Sequence, residues 1–421
     1  IRAIEMRSSM REAELEMLMI STKRTSSLGE YAALVGLCVT LLSCGSDGST
    51  GGAAGGGGDG GRRGEVLAAL GQDVVLPLIE QLPTEASRFE TALGDATSEP
   101  GGRDAAQAAW QELMAVWQQL ELMQFGPLGS SQTVMGGQDL RARIYTWPIL
   151  NPCQVDRQTV TEGYDDPDAL EQILGTPLGL RAIEYLLFTE DPGNNCLPDD
   201  PINGDGTWDS MSEMIPQRRL DYAAALATLV RRRAEELADA WSPSGGNFIE
   251  ELSNPGRSGA VYGSAQEGLN AVSDALFYLE KETKDMKLGK PLGITGCSSA
   301  QCPDDLESPW ARWSNPHALA NLLAFQHVFH GGAPDANDLG FDDLLRDMGA
   351  DDVAEDMSSA VRAAIAATEA VPGTFHDALS ENEAAMTNAH TAIQAVTDIL
   401  KSDFLSVLDL EAPDRAAGDN D

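Results

Sequence analysis

Arg181 and Glu184 lie three residues apart in GLRAIEYLLF (179–188), the segment of this 421-residue chain that is richest in possible chemistry. That spacing puts both side chains on one face of a helix, within pairing distance. A carboxylate can ligate a cation or carry a proton. A guanidinium has no free lone pair and stays protonated, so it repels cations and clamps carboxylates or other anions. The pair therefore reads as a structural ion pair or as an anion-binding group. His327 and His330 are also three apart, in AFQHVFH (324–330), a spacing that can chelate a metal. They close a helix, where cationic and polar side chains are favoured, and that role is the stronger reading. No His-Glu-x-x-His, Gly-x-Ser-x-Gly or Walker pattern is present, and no Gly-x-Gly-x-x-Gly follows a strand signal.

The loop Asp199–Gly206 (DDPINGDG) faintly matches a calcium loop, but the register puts Pro201 at position one and Ser212 at position twelve, so a surface loop is expected. Glu267, Glu280, Glu282 and Asp285 run along one predicted helix; most are expected on a solvated face, with one or two able to face Glu184 across a cleft. Of the six cysteines, Cys38 and Cys44 fall in an export segment. Cys297 and Cys302 flank a tight loop and are expected to form a local disulfide, which pairs Cys153 with Cys196 by default. The absence of Cys-x-x-Cys spacing argues against a metal site built from these four.

The elements that position these residues are helical. Ala, Leu and Gly are abundant and aromatic residues make up only 6%, a balance that suits packed helices better than a sandwich of strands. Apolar residues recur at three- and four-residue spacings over 65–97 (interrupted by Pro77 and Pro83), 104–124, 139–147, 166–174, 177–188, 216–241, 263–288, 316–330, 341–348, 352–370 and 374–408. No strand signal survives. An all-α fold of two packed helical bundles is expected over 65–411, with halves of about 65–190 and 210–411 and an acidic tail at 412–421. The net charge of −38 falls wholly on the chain beyond residue 44. Such a surface repels nucleic acid and anionic lipid and attracts cations without selecting among them.

Residues 1–44 read as a leader and lipoprotein signal peptide. Lys23 and Arg24 precede an apolar stretch, Tyr31–Ser43, too short to span a bilayer, and Leu41-Leu42-Ser43-Cys44 resembles a lipobox with Cys44 as the lipidated residue. A Gly-rich linker over 45–64 would let a folded domain stand off the membrane. A cell-envelope location follows, lipid-anchored to the membrane. Gly45 stands where an inner-membrane retention signal would carry Asp, which favours the outer membrane.

Phe125-Gly126-Pro127, Trp147-Pro148, the 179–188 segment, KLGKPLG (287–293), Glu307-Ser308, Asn321 and GFDDLL (340–345) occur in order along the chain. Together they resemble the imelysin-like (M75 peptidase) family, whose hallmark is Gly-x-His-x-x-Glu followed by Tyr-Leu-Leu. The resemblance covers about 65–411. It implies a double helical-bundle fold, an envelope location and a link to iron or another divalent metal as cofactor or cargo. It also implies a cleft lined by Arg181 and Glu184, with Trp147, Glu307, Ser308 and Asn321 as further ligand-binding residues. This chain departs from the pattern at Arg181, where the family has histidine. One His and one Glu are already a thin zinc site, because zinc enzymes use about three protein ligands plus a water. Without the histidine, only Glu184 is left as a metal ligand from the motif. The expected function is a non-catalytic envelope binding module for an unknown small ligand or metal. The alternatives are an M75-type metallopeptidase and a surface adaptor with a vestigial pocket.

Overall fold

The amino-terminal helical run shows how the chain builds its core. Helix α1 (Asp59–Ala69) passes through a π-helical turn (Leu70–Val75) into α2 (Leu76–Ser98). Pro77 has no N–H to give the carbonyl four residues back, and the wider turn just before it absorbs that loss without breaking the helix. The run is long and apolar enough to cross a membrane by composition. Its apolar stripe, including Val66, Leu70, Ile79, Leu82 and Phe89, is instead buried in the core.

This is a computed structural model; it describes residues 59–99, 101–171, 177–334, 336 and 338–413. The longer helices that follow are α3 (Gly102–Leu122), α4 (Leu140–Ile144), α5 (Pro152–Thr161), α6 (Gly179–Phe188), α7 (Ile215–Trp241), α8 (Ile249–Ser253) and α9 (Ala265–Leu276). A π-helical segment, Leu279–Gly289, precedes α10 (Ser314–His330), α11 (Phe341–Asp347), α12 (Asp351–Glu369), α13 (Phe375–Glu381) and α14 (Glu383–Ile399). No strand occurs among the described residues. The protein is all-α, as its periodicity requires.

Two groups of helices pack side by side. In the first, α2 packs against α3 and α7, and α7 against α6. In the second, α12 packs against α10 and α14, and α14 against the π-helical segment. Helix α7 follows the 191–209 loop yet joins the first group, so that group draws on chain from both sides of the loop. Helices α3 and α10 pack on each other across the seam. One apolar core runs through both groups and includes Trp110, Trp117, Trp241, Phe277 and Phe325. Burying each such side chain contributes roughly 1.5–3 kcal/mol.

Three local expectations are corrected. The Gly-rich linker expected over 45–64 ends earlier, because α1 already begins at Asp59. Arg62 donates to Asp347 at 2.7 Å, and Arg63 to Gln266 at 2.6 Å and to the Leu408 carbonyl at 2.8 Å. These long-range contacts override the low helix propensity of Gly61 and Gly64. Helix α5 was not apparent from periodicity. Asn151 caps it by accepting from the Gln154 N–H, and Pro152 supplies a first-turn proline. The helix expected over 263–288 divides at Phe277–Tyr278 into α9 and the π-helical segment.

Both disulfides form as expected, Cys153–Cys196 and Cys297–Cys302. Cys44 and the signal segment lie outside the described residues.

Candidate functional site

Helix α6 is almost wholly buried, and it opens on Gly179 with φ +74°. A Cβ there would stand 2.6 Å from the Ile144 carbonyl oxygen, so only glycine lets α6 start this close to the end of α4. That close approach aims Arg181 and Glu184 at the seam between the two groups.

Glu184 is fully buried. Its Oε1 accepts from Ser308 Oγ at 2.9 Å and from the backbone N–H groups of Trp310 and Ala311 at 3.2 and 3.1 Å. Its Oε2 lies 3.9 Å from Arg181 Nη1. The Arg181 guanidinium stands 5.3 Å from the Trp310 ring centroid, a cation–π arrangement. Arg181 Nε and Nη1 and Glu184 Oε2 are buried without a hydrogen-bond partner. Burial pushes the Glu184 carboxyl up; Arg181, the Ala311 N–H and Ser308 oppose that rise.

A second buried cluster adjoins the first through Glu307-Ser308. Glu307 Oε1 accepts from Gln118 Nε2 at 2.8 Å and from the Tyr145 hydroxyl at 3.0 Å. Its Oε2 is 3.0 Å from Lys287 Nζ and 3.2 Å from His317 Nδ1. Lys287 Nζ donates to Gln118 Oε1 at 2.7 Å and to Asn321 Oδ1 at 2.8 Å. The same ammonium is 5.3 Å from the Trp147 ring centroid and 5.2 Å from that of Tyr278. Asn321 Nδ2 donates to the Gln118 carbonyl at 2.7 Å, which joins α10 to α3. Burial opposes charge on Glu307, but Lys287 and His317 outweigh it and hold the carboxyl well below its ordinary range. Burial and the nearby Glu307 push the Tyr145 hydroxyl far up, so it acts as a donor.

The six residues named from the sequence therefore meet in one place. Arg181, Glu184 and Ser308 form one cluster; Glu307, Asn321 and Trp147 belong to the other. Gln118, Tyr145, Lys287 and His317 complete the centre; none of them is among the site residues expected from the sequence, although Lys287 opens the KLGKPLG segment. The signal available for them was a polar residue on the apolar side of an amphipathic helix, as Gln118 is on α3. Glu280, by contrast, is taken up by Lys284 and Lys401 at 3.0 and 2.8 Å, and Glu267 accepts from the Gly263 N–H.

His330 Nδ1 faces Asp342 Oδ2 at 3.1 Å. The 199–206 loop is held by its own caps and by α5. Asp200 caps Ile202 and pairs with Arg157, and Asp205 caps Thr207.

A metal at the motif fits poorly. Arg181 cannot ligate, and three donors already occupy one Glu184 oxygen. Among the described residues, a single group of three potential ligands lies within reach of one ion, Cys153, Cys196 and Asp200. Both of its cysteines are spent in a disulfide.

An all-helical chain of two packed helix groups, with a Gly-x-Arg-x-x-Glu helix at their seam, belongs to the imelysin (peptidase M75) family, whose sequence model matches residues 75–402. An iron-regulated protein A from Synechococcus elongatus is 24% identical over 341 residues, covering 80% of this chain and 84% of that protein. Two solved structures share the fold. One is described as an iron-regulated protein A precursor from Parabacteroides distasonis (TM-score 0.64, 16% identity, 84% of this chain and 96% of that one). The other is an imelysin-like protein from Psychrobacter arcticum (TM-score 0.62, 15% identity, 84% and 98%).

Proposed function

We propose that this protein is a non-catalytic ligand-binding module of the cell envelope, lipid-anchored through Cys44 and serving iron or metal supply. The observation that carries the non-catalytic reading is Arg181. Its guanidinium lies 3.9 Å from the Glu184 carboxylate and against Trp310. It puts a permanent positive charge where the family motif has an ion-ligating histidine. Three donors hold Glu184 Oε1, and its Oε2 is buried facing the Arg181 guanidinium. The tie to iron rests on the name of the cyanobacterial relative. The anchor rests on the lipobox-like LLSC at 41–44.

Calorimetric titration of the full-length protein with Zn²⁺ and Fe³⁺, beside Arg181→His, tests this reading. The wild type is expected to give no binding heat at the motif and the variant to gain a site. Tight binding by the wild type, together with chelator-sensitive proteolysis, would restore the metallopeptidase reading. Replacing Cys44 with Ser and fractionating cells tests the anchor, since the variant should leave the membrane fraction.

A further inference from the structure

A cavity of about 460 Å³ opens beside the buried centre, between α4, α7 and the 145–149 loop. Trp147, Leu229 and Val230 give it apolar walls. Three arginines, Arg141, Arg143 and Arg233, line it together with a single acid, Glu171. Acidic residues outnumber basic ones by more than two to one in this chain, so a lining of three arginines and one glutamate reverses the balance of the chain as a whole.

The arginines are positioned from behind. Arg141 Nη2 reaches buried Glu121 at 2.5 Å. Arg143 and Arg233 share Glu236 at 3.0 and 2.6 Å. Neither Glu121 nor Glu236 lines the cavity. Arg233 also meets Glu171 at 3.1 Å. Each guanidinium carries five N–H donors, and these contacts use at most two on any one arginine. Pre-oriented guanidinia with unspent donors, set over apolar and aromatic walls, match an anionic head on an apolar body.

We propose that this cavity binds a small organic anion with an apolar body, a carboxylate being the simplest head group. The proposal rests on the reading of the protein as a ligand-binding module and names the ligand class. The two can fail separately, because Arg181 does not line the cavity. An occupant would lie against Tyr145 and Trp147, which contact Glu307 and Lys287 of the buried centre.

The test is calorimetric titration of the full-length protein with benzoate, with acetate (the same head, little body) and with benzyl alcohol (a similar body, no charge). Benzoate is expected to bind at least about tenfold more tightly than either comparator, because both the charge-assisted contacts and the apolar wall are engaged. Arg233→Ala and Arg143→Ala should each weaken benzoate by about tenfold, with melting curves confirming that the variants fold. Arg141→Ala is a poorer test because it would strand buried Glu121. If Arg233→Ala fails to fold, Arg143→Ala, at a more exposed position, decides the matter. Benzoate binding no better than both comparators, or equal binding by wild type and the folded variants, overturns the proposal. Tight metal binding by the wild type would count against the reading of Arg181 and leave this result standing.

Discussion

Lys287→Met tests whether the buried centre is an interlocked charge network. Lys287 has no solvent exposure. Its ammonium lies 2.7 Å from Gln118, 2.8 Å from Asn321 and 3.0 Å from Glu307, all buried. Methionine keeps most of the side-chain volume, so little of the effect comes from an empty space. The loss comes from leaving Glu307 charged and buried without its main partner, which costs about 3–5 kcal/mol. Gln118, Tyr145 and His317 still approach the carboxylate, which places the expected loss toward the lower end. Adding Glu307→Gln removes the stranded charge while keeping an oxygen for the Tyr145 hydroxyl. The double variant should therefore regain at least half of the loss. Urea unfolding followed by helical circular dichroism reads both values. A loss below about 1 kcal/mol, the scale of an exposed pair, would refute the network. So would a double variant less stable than Lys287→Met alone.

Glu307 also sets a pH dependence. Its folded pKa is depressed, so its contribution to stability is present above the ordinary carboxyl value of 4.5 and is lost as pH falls below it. Wild-type stability should drop more steeply than that of Glu307→Gln between about pH 5 and pH 2, and acid titrations of both proteins would show whether the gap narrows. Gly179→Ala should destabilise by at least about 1–2 kcal/mol, since it forces a left-handed backbone on a residue with a Cβ and adds a clash with the Ile144 carbonyl; an unchanged melting temperature would contradict the close approach. Removing Cys153–Cys196, which closes a separation of 43 residues, should cost about 4 kcal/mol, against about 2 for Cys297–Cys302 with its separation of 5. Paired Cys→Ala variants compared by denaturation would reveal the order, and equal losses would speak against the chain-entropy account.

Much of the fold was legible because it depends on local spacing. Apolar residues three and four apart mark α3, with Trp110, Leu113 and Trp117 on one buried stripe. The stretch expected to be helical over 374–408 forms α13 and α14 with a break at Asn382, then a π-helical turn (Leu400–Phe404) and a last helical turn (Leu405–Leu408). Arg181 and Glu184 could be paired from their spacing alone, and the structure puts them 3.9 Å apart. Less was legible where distant contacts decide. Arg62 and Arg63 extend the first helix into a glycine-rich stretch by reaching Asp347, Gln266 and Leu408.

The sequence by itself determined the helical class, the Cys297–Cys302 pairing and the replacement of histidine by arginine in the motif, because each is a matter of residue type and short-range spacing; Cys153–Cys196, 43 residues apart, followed only by elimination. Only the tertiary structure decided that Gln118, Tyr145, Lys287, Glu307, His317 and Asn321 share one buried network. These residues lie up to 203 positions apart in the chain, as the Gln118–Asn321 contact shows. Each taken singly looks like an ordinary polar position on a helix or loop. Burial is what turns them into a centre: removed from water, every charge and amide there must find its partner across the seam, and which partners meet is a property of helix packing rather than of local pattern.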